Sequence, residues 1–397
     1  MQEERSLNSY FLQDEIASKI SEIANTLTKS DCKSFGLYGE LGGKSLFYSA
    51  YYQYTKDPFW LDCLMKNIEL SFNYFNKTSI SFSFGNGAAG LFFLYDYLNR
   101  TQGNIINYKE AEDAYKETLI KAMMEQLESG NYDFIHKSIG IAYYIFKDKK
   151  NKKLLDSYLD TLINIAQKEK NSFWWKDCFD NDNFGYPNIG VAHGMAGIAL
   201  FLTFICKEYQ SKKAFLLLRK TIEFILTQEQ EHFLGSYYPT FSLKEKGKSR
   251  LGWCYGDLGI AMALYKAGIV TGNNEYCKKA SEIFINSCTR KDLQENLVFD
   301  AGLCHGTAGI SHIYRRIYFE TKDRRFLWAN KYWLEETIKM SKYPDGNIGY
   351  KSLSQEGFTK TDNSFLEGIS GIGLSLLANL TTNPKFLAWD ECLMMNL

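Results

Sequence analysis

The sequence predicts an all-α chain folded as an α/α toroid, a double-layered helical barrel of seven helix-pair repeats with about 14 helices. Three observations carry this. A Gly-x-x-Gly core recurs through the chain, each copy is followed by an apolar run, and amphipathic stretches lie between the runs.

The first copies are Tyr38-Gly39-Glu40-Leu41-Gly42 and Asn86-Gly87-Ala88-Ala89-Gly90. The degenerate third, His136-Lys137-Ser138-Ile139-Gly140, keeps only the second glycine. Then come His193-Gly194-Met195-Ala196-Gly197, Tyr255-Gly256-Asp257-Leu258-Gly259, His305-Gly306-Thr307-Ala308-Gly309 and Glu367-Gly368-Ile369-Ser370-Gly371. The second glycines fall at 42, 90, 140, 197, 259, 309 and 371, so the repeats fill the 397-residue chain as one domain, 1–397. Runs such as Ile198-Ala199-Leu200-Phe201-Leu202 are apolar on nearly all sides, which predicts a helix buried on all sides. In 152–168, Leu155, Tyr158, Leu159, Leu162, Ile163 and Ala166 share one helical face, and 108–128, 212–228 and 275–288 read similarly. Seven pairs close as a ring, buried helices inside and amphipathic ones outside, and closure removes the end repeats that an open solenoid must cap. The glycines let adjacent backbones approach. Their clustering places seven equivalent loops at one end.

Three gaps are longer than the others. The insertions fall in 169–189, 230–250 and 341–363, which are rich in Gly, Asn, Asp, Ser and aromatics. That composition suits long loops or short hairpins acting as lids or substrate contacts.

Composition narrows the function. With 46 basic and 46 acidic residues there is no basic excess to coat nucleic acid. The N-terminal residues lack a basic flank followed by an apolar run, so no signal peptide is expected. The longest apolar stretch, 189–206, is interrupted by His193 and three glycines, which suits a packed interior better than a bilayer. Nine cysteines without a short disulfide framework point to reduced thiols and a cytoplasmic protein.

Within the repeat register, Cys254 precedes Tyr255-Gly256 and Cys304 precedes His305-Gly306. The two cysteines hold the same position in consecutive repeats, so neighbouring inner helices are expected to present them side by side. With His305 they form a Cys2His set for zinc (Zn2+) with a fourth position open, the pattern of a catalytic site. The alternative is two buried structural cysteines. Zinc on two thiolates is a weak Lewis acid toward water but a good host for another thiolate, which points to carbon–sulfur bond formation rather than hydrolysis.

His193 stands at the homologous tip of repeat four and suits proton transfer during addition of sulfur to an alkene; otherwise it is a core histidine. Asp133 is positioned to orient His193 or to take a proton itself, or else to cap a helix. Arg250 suits an enolate oxyanion if it is not simply a surface charge. Tyr255 is a candidate hydrogen-bond donor or a packed aromatic. Asp257 reads as a helix cap, and His136, His232 and His312 as structural. Gly39-Glu40-Leu41-Gly42-Gly43-Lys44-Ser45 imitates a phosphate loop, but Tyr38 stands where its first glycine is required.

The segments Gly190-Val191-Ala192-His193-Gly194, Gly252-Trp253-Cys254-Tyr255-Gly256 and Leu303-Cys304-His305-Gly306 resemble the signature motifs of the LanC-type lanthipeptide cyclases, and the repeats extend this resemblance over about 36–380. The resemblance implies that Cys254, Cys304 and His305 bind zinc, that His193 is the acid/base residue, and that Asp133 and Arg250 are active-site partners. It implies Michael-type addition of precursor-peptide cysteines to dehydroalanine or dehydrobutyrine, giving lanthionine or methyllanthionine rings. The implied partners are a dehydrated precursor peptide, a dehydratase and a transporter, with a cytoplasmic location that extends through them to the inner membrane face. Two other activities remain: a LanC-like protein that binds or adds glutathione, and a toroid glycosidase using Asp133 and Glu367. A scaffold within a synthesis complex is a further alternative.

Overall fold

The structure, a computed structural model, describes residues 2–77, 80–178, 186–231, 235–241, 247–354, 357–359 and 362–396. The chain begins with α1 (Gln2–Lys29), α2 (Glu40–Thr55), α3 (Pro58–Lys77), α4 (Ala88–Gln102), α5 (Lys109–Glu128), α6 (Ser138–Ile145) and α7 (Lys152–Ile165). A hairpin of β1 (Gln167–Lys168) and β2 (Phe173–Trp174) leads to α8 (Met195–Tyr209), α9 (Lys212–Thr227), α10 (Asp257–Thr271) and α11 (Asn274–Ser287). Then follow α12 (Thr307–Thr321), α13 (Arg324–Lys339), a second hairpin of β3 (Ser352–Ser354) and β4 (Gly357–Thr359), α14 (Ile369–Asn379) and a 3₁₀ run, Pro384–Leu393. No described helix is long and apolar enough to cross a membrane.

The even-numbered helices are the expected inner set. Each starts on the residue after the first motif position, Gly39, Gly87, Lys137, Gly194, Gly256, Gly306 or Gly368. The loop before each helix closes on itself over seven residues. Met195 N donates to Asn188 O (2.7 Å), Thr307 N to Asp300 O (3.1 Å) and Ile369 N to Asp362 O (3.0 Å). The second glycine sits under that closure. A Cβ at Gly259 would lie 2.5 Å from Trp253 O, and Gly42, Gly140, Gly197, Gly309 and Gly371 face their own loop carbonyls in the same way. These glycines therefore serve each loop's approach to its own helix more than the approach of neighbouring repeats. Gly256 alone of the first glycines at the described caps has positive φ (86°), a conformation that L side chains rarely adopt.

The chain forms two compact units, each assembled from separated segments. The first holds 1–80, 97–105 and 299–389. In it α2 packs on α3 and α12 on α13, while α14 lies against both α12 and α2. The last inner helix thus neighbours the first, as ring closure requires. His312 is fully buried against Trp389, with ring centroids 4.2 Å apart, so its structural role holds. Lys44, the lysine of the imitation phosphate loop, is buried and donates from Nζ to Ser30 O (2.6 Å) and Asp31 O (3.2 Å). It satisfies carbonyls just past the end of α1 and has no phosphate-binding geometry.

The second unit holds 81–96, 106–298 and 390–397. Here α8 lies between α6 and α10, with α9 and α11 outside. The exposed positions of α9 are polar except for Leu216, and its inner face buries Ala214, Leu217, Leu218, Ile222 and Ile225. Burying each leucine or isoleucine stabilises by roughly 1.5–3 kcal/mol. The C-terminal residues fill this unit's interior: Trp253 Nε1 donates to Leu393 O (3.0 Å) and Tyr143 Oη to Glu391 O (3.0 Å).

Two expectations need correcting. The helix expected over 152–168 stops at Ile165, because Ala166 turns extended (ψ 140°) and Gln167–Lys168 pair with β2 instead. Asp257 does not cap α10. Its buried carboxylate accepts from Tyr237 N (3.1 Å) and Tyr238 N (3.0 Å) and pairs with Arg290 (2.9 Å), pinning the 230–250 insertion to the helix start. The hairpins occur where insertions were expected, β1–β2 at the edge of 169–189 and β3–β4 within 341–363. Parts of all three insertions, and His232, lie outside the described residues.

Candidate functional site

The site-bearing loops are ordered by backbone hydrogen bonds between consecutive repeats. In the second unit Gly85 N donates to Ile135 O (2.7 Å), and Val191 N donates to Cys254 O (2.8 Å). In the first unit Leu303 N and Cys304 N both donate to Leu366 O (2.7 and 3.1 Å), and Phe365 N donates to Tyr38 O (3.2 Å). Equivalent motif positions are thereby brought side by side within each unit.

In the second unit, His193, Asp133 and Tyr255 are gathered together. His193 Nδ1 is hydrogen-bonded to Asp133 Oδ2. The other carboxylate oxygen of Asp133 accepts the backbone N–H of His136 at 2.5 Å, so the side chain also holds its own loop. Asp133 is 1% exposed and cannot swing away. The carboxylate thus bonds both the turn before α6 and the ring of His193. The bond to the carboxylate fixes the Nδ1 side of the His193 ring.

Tyr255 flanks His193, with ring centroids 6.1 Å apart, and leans edge-on against Phe241. Its hydroxyl accepts from Asn188 Nδ2 (3.2 Å), and the same amide nitrogen reaches Asp177 (3.4 Å). Burial raises the phenol pKa well above its ordinary value, so Tyr255 stays protonated. Gly190 is required beside it, because a Cβ there would lie 2.5 Å from the ring. Cys254 is buried in the same loop as Tyr255. Arg250 opens that loop half-exposed, and its guanidinium pairs with none of the described residues.

On the far side of His193 lies His136, stacked at 5.8 Å and 9°. Burial lowers its pKa, against the raising effect of the Asp133 charge. Asp133, His136 and His193 offer ligand atoms within 4.8 Å of one another.

In the first unit, Cys304 is buried and His305 follows it at the entry to α12. His305 Nε2 lies 3.7 Å from Glu367 Oε2 and 3.9 Å from Asp300 Oδ2. Asp300 is already engaged, accepting from Gly302 N and Leu353 N at 3.0 Å each.

Sequence reasoning set His136 aside and gave Glu367 only a glycosidase role. A signal for both was available: they occupy the motif position that carries His193, Tyr255 and His305 in the other repeats. Asn188 and Asp300 were missed as well. They hold equivalent places six residues before Gly194 and Gly306, and each caps its loop by accepting the N–H two residues on, at 3.0 Å.

The Lanthionine synthetase C-like protein family matches residues 32–394. The nisin biosynthesis protein NisC of Lactococcus lactis subsp. lactis is 25% identical over 341 residues, covering 78% of this chain and 76% of its own length. The glutathione S-transferase LANCL1 of Danio rerio is 21% identical over 332 residues, covering 79% and 78%. Among solved structures, nisin cyclase superposes with a TM-score of 0.76 at 21% identity, covering 96% of this chain and 97% of its own. That likeness shows the fold to be the expected α/α toroid. With nearly the whole length matched and the glycine-capped inner helices where the motifs put them, the chain belongs to the lanthionine synthetase C-like family.

Proposed function

We propose that the chain, with residues 1–397 acting as one catalytic domain, is a zinc-dependent lanthipeptide cyclase. It adds cysteine thiols of a dehydrated precursor peptide to dehydroalanine or dehydrobutyrine in the same peptide, closing lanthionine or methyllanthionine rings. The single observation that carries this is the buried Asp133–His193 pair beside Tyr255, in a chain matched by the family from 32 to 394. The similarity to NisC supports the same reading.

Cys254, Cys304 and His305 are the residues that would hold zinc. Two sulfurs and one nitrogen form a donor set that suits zinc with one position open. His305 turns Nε2 toward two carboxylates, the groups that stand behind a ligating imidazole, so the residues present fit the ion. When bound, zinc keeps an incoming cysteine deprotonated and nucleophilic at neutral pH.

The remaining chemistry belongs to the chain. As the carbon–sulfur bond forms, the alkene π pair moves onto the neighbouring amide as an enolate. The Tyr255 O–H and the Arg250 charge are the groups assigned to that oxygen. His193 carries the proton at Nε2 and delivers it to the α-carbon, while Asp133 keeps the opposite proton on Nδ1. The thiol proton lost equals the carbon-bound proton gained, so the peptide closes its ring without change of mass. A dehydratase must supply the alkene, and a transporter would remove the product, with the enzyme working in the cytoplasm and at the membrane face through these partners.

The test is incubation with a dehydrated precursor peptide, then thiol alkylation and mass spectrometry. Free thiols are expected to disappear at constant mass, and Cys304→Ala is expected to abolish this. Unchanged alkylation with the cognate peptide would count against the assignment. The zebrafish relative's name favours one second reading, glutathione as the thiol. Glutathione consumption by the protein, without peptide cyclisation, would select it.

A further inference from the structure

We propose that Glu367 is the positioning residue for His305, holding the imidazole in the orientation and tautomer that a metal needs. The inference rests on the zinc reading above and concerns only residues of the first unit.

Glu367 stands on the seventh motif loop at the position that His305 occupies on the sixth. The two loops are locked together by the paired hydrogen bonds of Leu303 N and Cys304 N to Leu366 O. That lock joins the residue before Glu367 directly to Cys304. Glu367 is itself fixed on both sides, since Ser352 Oγ donates to its carbonyl (2.7 Å) and its N–H reaches Ser364 Oγ (3.4 Å). Its carboxylate passes over Gly302, where a Cβ would come within 3.1 Å of Oε2. A side chain at 302 would crowd this carboxylate and the Leu366 carbonyl oxygen, which lies 3.0 Å from the same Cβ position.

At 3.7 Å the Glu367 oxygen is the nearer of two carboxylates facing His305 Nε2. This separation is in the ion-pair range and longer than a formed hydrogen bond, so its effect is electrostatic. Negative charge at Nε2 favours the tautomer with its proton there and leaves the Nδ1 lone pair for a metal. Asp300 adds to the field, but its oxygens already serve Gly302 N and Leu353 N, so it has less freedom to respond to the imidazole. Carboxylates placed behind a ligating histidine raise its basicity, and losing one typically costs about 10- to 100-fold in metal affinity.

The experiment uses the full chain stripped of metal and titrated with zinc against a chromophoric chelator, alongside the thiolate–cobalt absorption of the cobalt-loaded protein. Glu367→Gln is expected to bind zinc about 10- to 100-fold more weakly than wild type and to shift the cobalt spectrum. Its metal-free thermal midpoint should stay that of wild type. Glu367→Asp, which keeps the charge but retracts it, should fall between the two and serves as the readout if the glutamine variant does not fold. Cys304→Ala is the control for the zinc site itself. Wild-type uptake that is lost in Cys304→Ala but kept at full affinity in both Glu367 variants would overturn this proposal alone. A wild-type chain that takes up no zinc would overturn the zinc reading and this proposal with it.

Discussion

Asp133→Asn is the most informative single change in the second unit, because it is nearly isosteric and alters one proton. In the wild type, one Asp133 oxygen accepts the His136 N–H and the other accepts His193 Nδ1–H. The asparagine oxygen can keep the His136 bond at 2.5 Å, which turns the new NH2 group toward His193. Two donors cannot face each other, so the imidazole moves its proton to Nε2 and presents its lone pair at Nδ1. Nδ1 then no longer holds the second proton that Asp133 kept there, so the ring could give up its Nε2 proton only by becoming an imidazolate. Losing general acid–base catalysis costs on the order of 10²- to 10⁴-fold in rate. The fold should lose little. One charge-assisted hydrogen bond worth about 1.5–3 kcal/mol is replaced by a neutral one, while the burden of a charge 1% exposed is lifted. The assay is single-turnover cyclisation of a dehydrated peptide, paired with the thermal midpoint and with ¹⁵N shifts of the His193 ring. Wild-type cyclisation by a variant whose His193 tautomer has switched would refute the reasoning. So would a rate loss accompanied by an unchanged tautomer.

Two further outcomes follow from the same coordinates. Gly259→Ala should destabilise despite a helix-propensity gain of about 1 kcal/mol, because its Cβ would lie 2.5 Å from the backbone oxygen of Trp253 and 2.8 Å from a Val191 methyl. Overpacking of this kind costs roughly 1–3 kcal/mol, and urea unfolding that shows a more stable variant would contradict it. His136 makes stability pH-dependent: burial depresses its pKa in the folded chain below the ordinary imidazole value of about 6.5. The unfolded chain therefore takes up the proton first on acidification. The stabilisation linked to neutral His136 is complete above that value and is lost as pH falls through it. Thermal midpoints measured between neutral and mildly acidic pH should drop more for wild type than for His136→Gln. Parallel slopes would exclude the effect.

The helical repeats could be read in one dimension because their signals are local. A glycine six residues after the carbonyl it must clear, and an apolar run on every face, are properties of contiguous chain. The inner helices accordingly begin just after the first glycine position of each motif, from Glu40 to Ile369. The periodicity of 152–168 was equally local and ran too far. The strand pairing that ends α7 at Ile165 is made with Phe173–Trp174, beyond the periodic segment. Asp257 looked like a cap for the same reason. Its position predicted local bonding, but its partners are Tyr237, Tyr238 and Arg290, up to 33 residues away.

Residue identity and register by themselves determined the helical class, the seven-fold repeat and the candidates His193, Cys254, Cys304 and His305. Only the tertiary structure decided which side chains meet: Asp133 with His193, Asn188 with Tyr255, and Glu367 with His305. The reason is physical. Repeat register fixes which loop position a side chain occupies. The backbone bonds that fasten one loop to the next then decide, within a few tenths of an ångström, whether two such positions can touch.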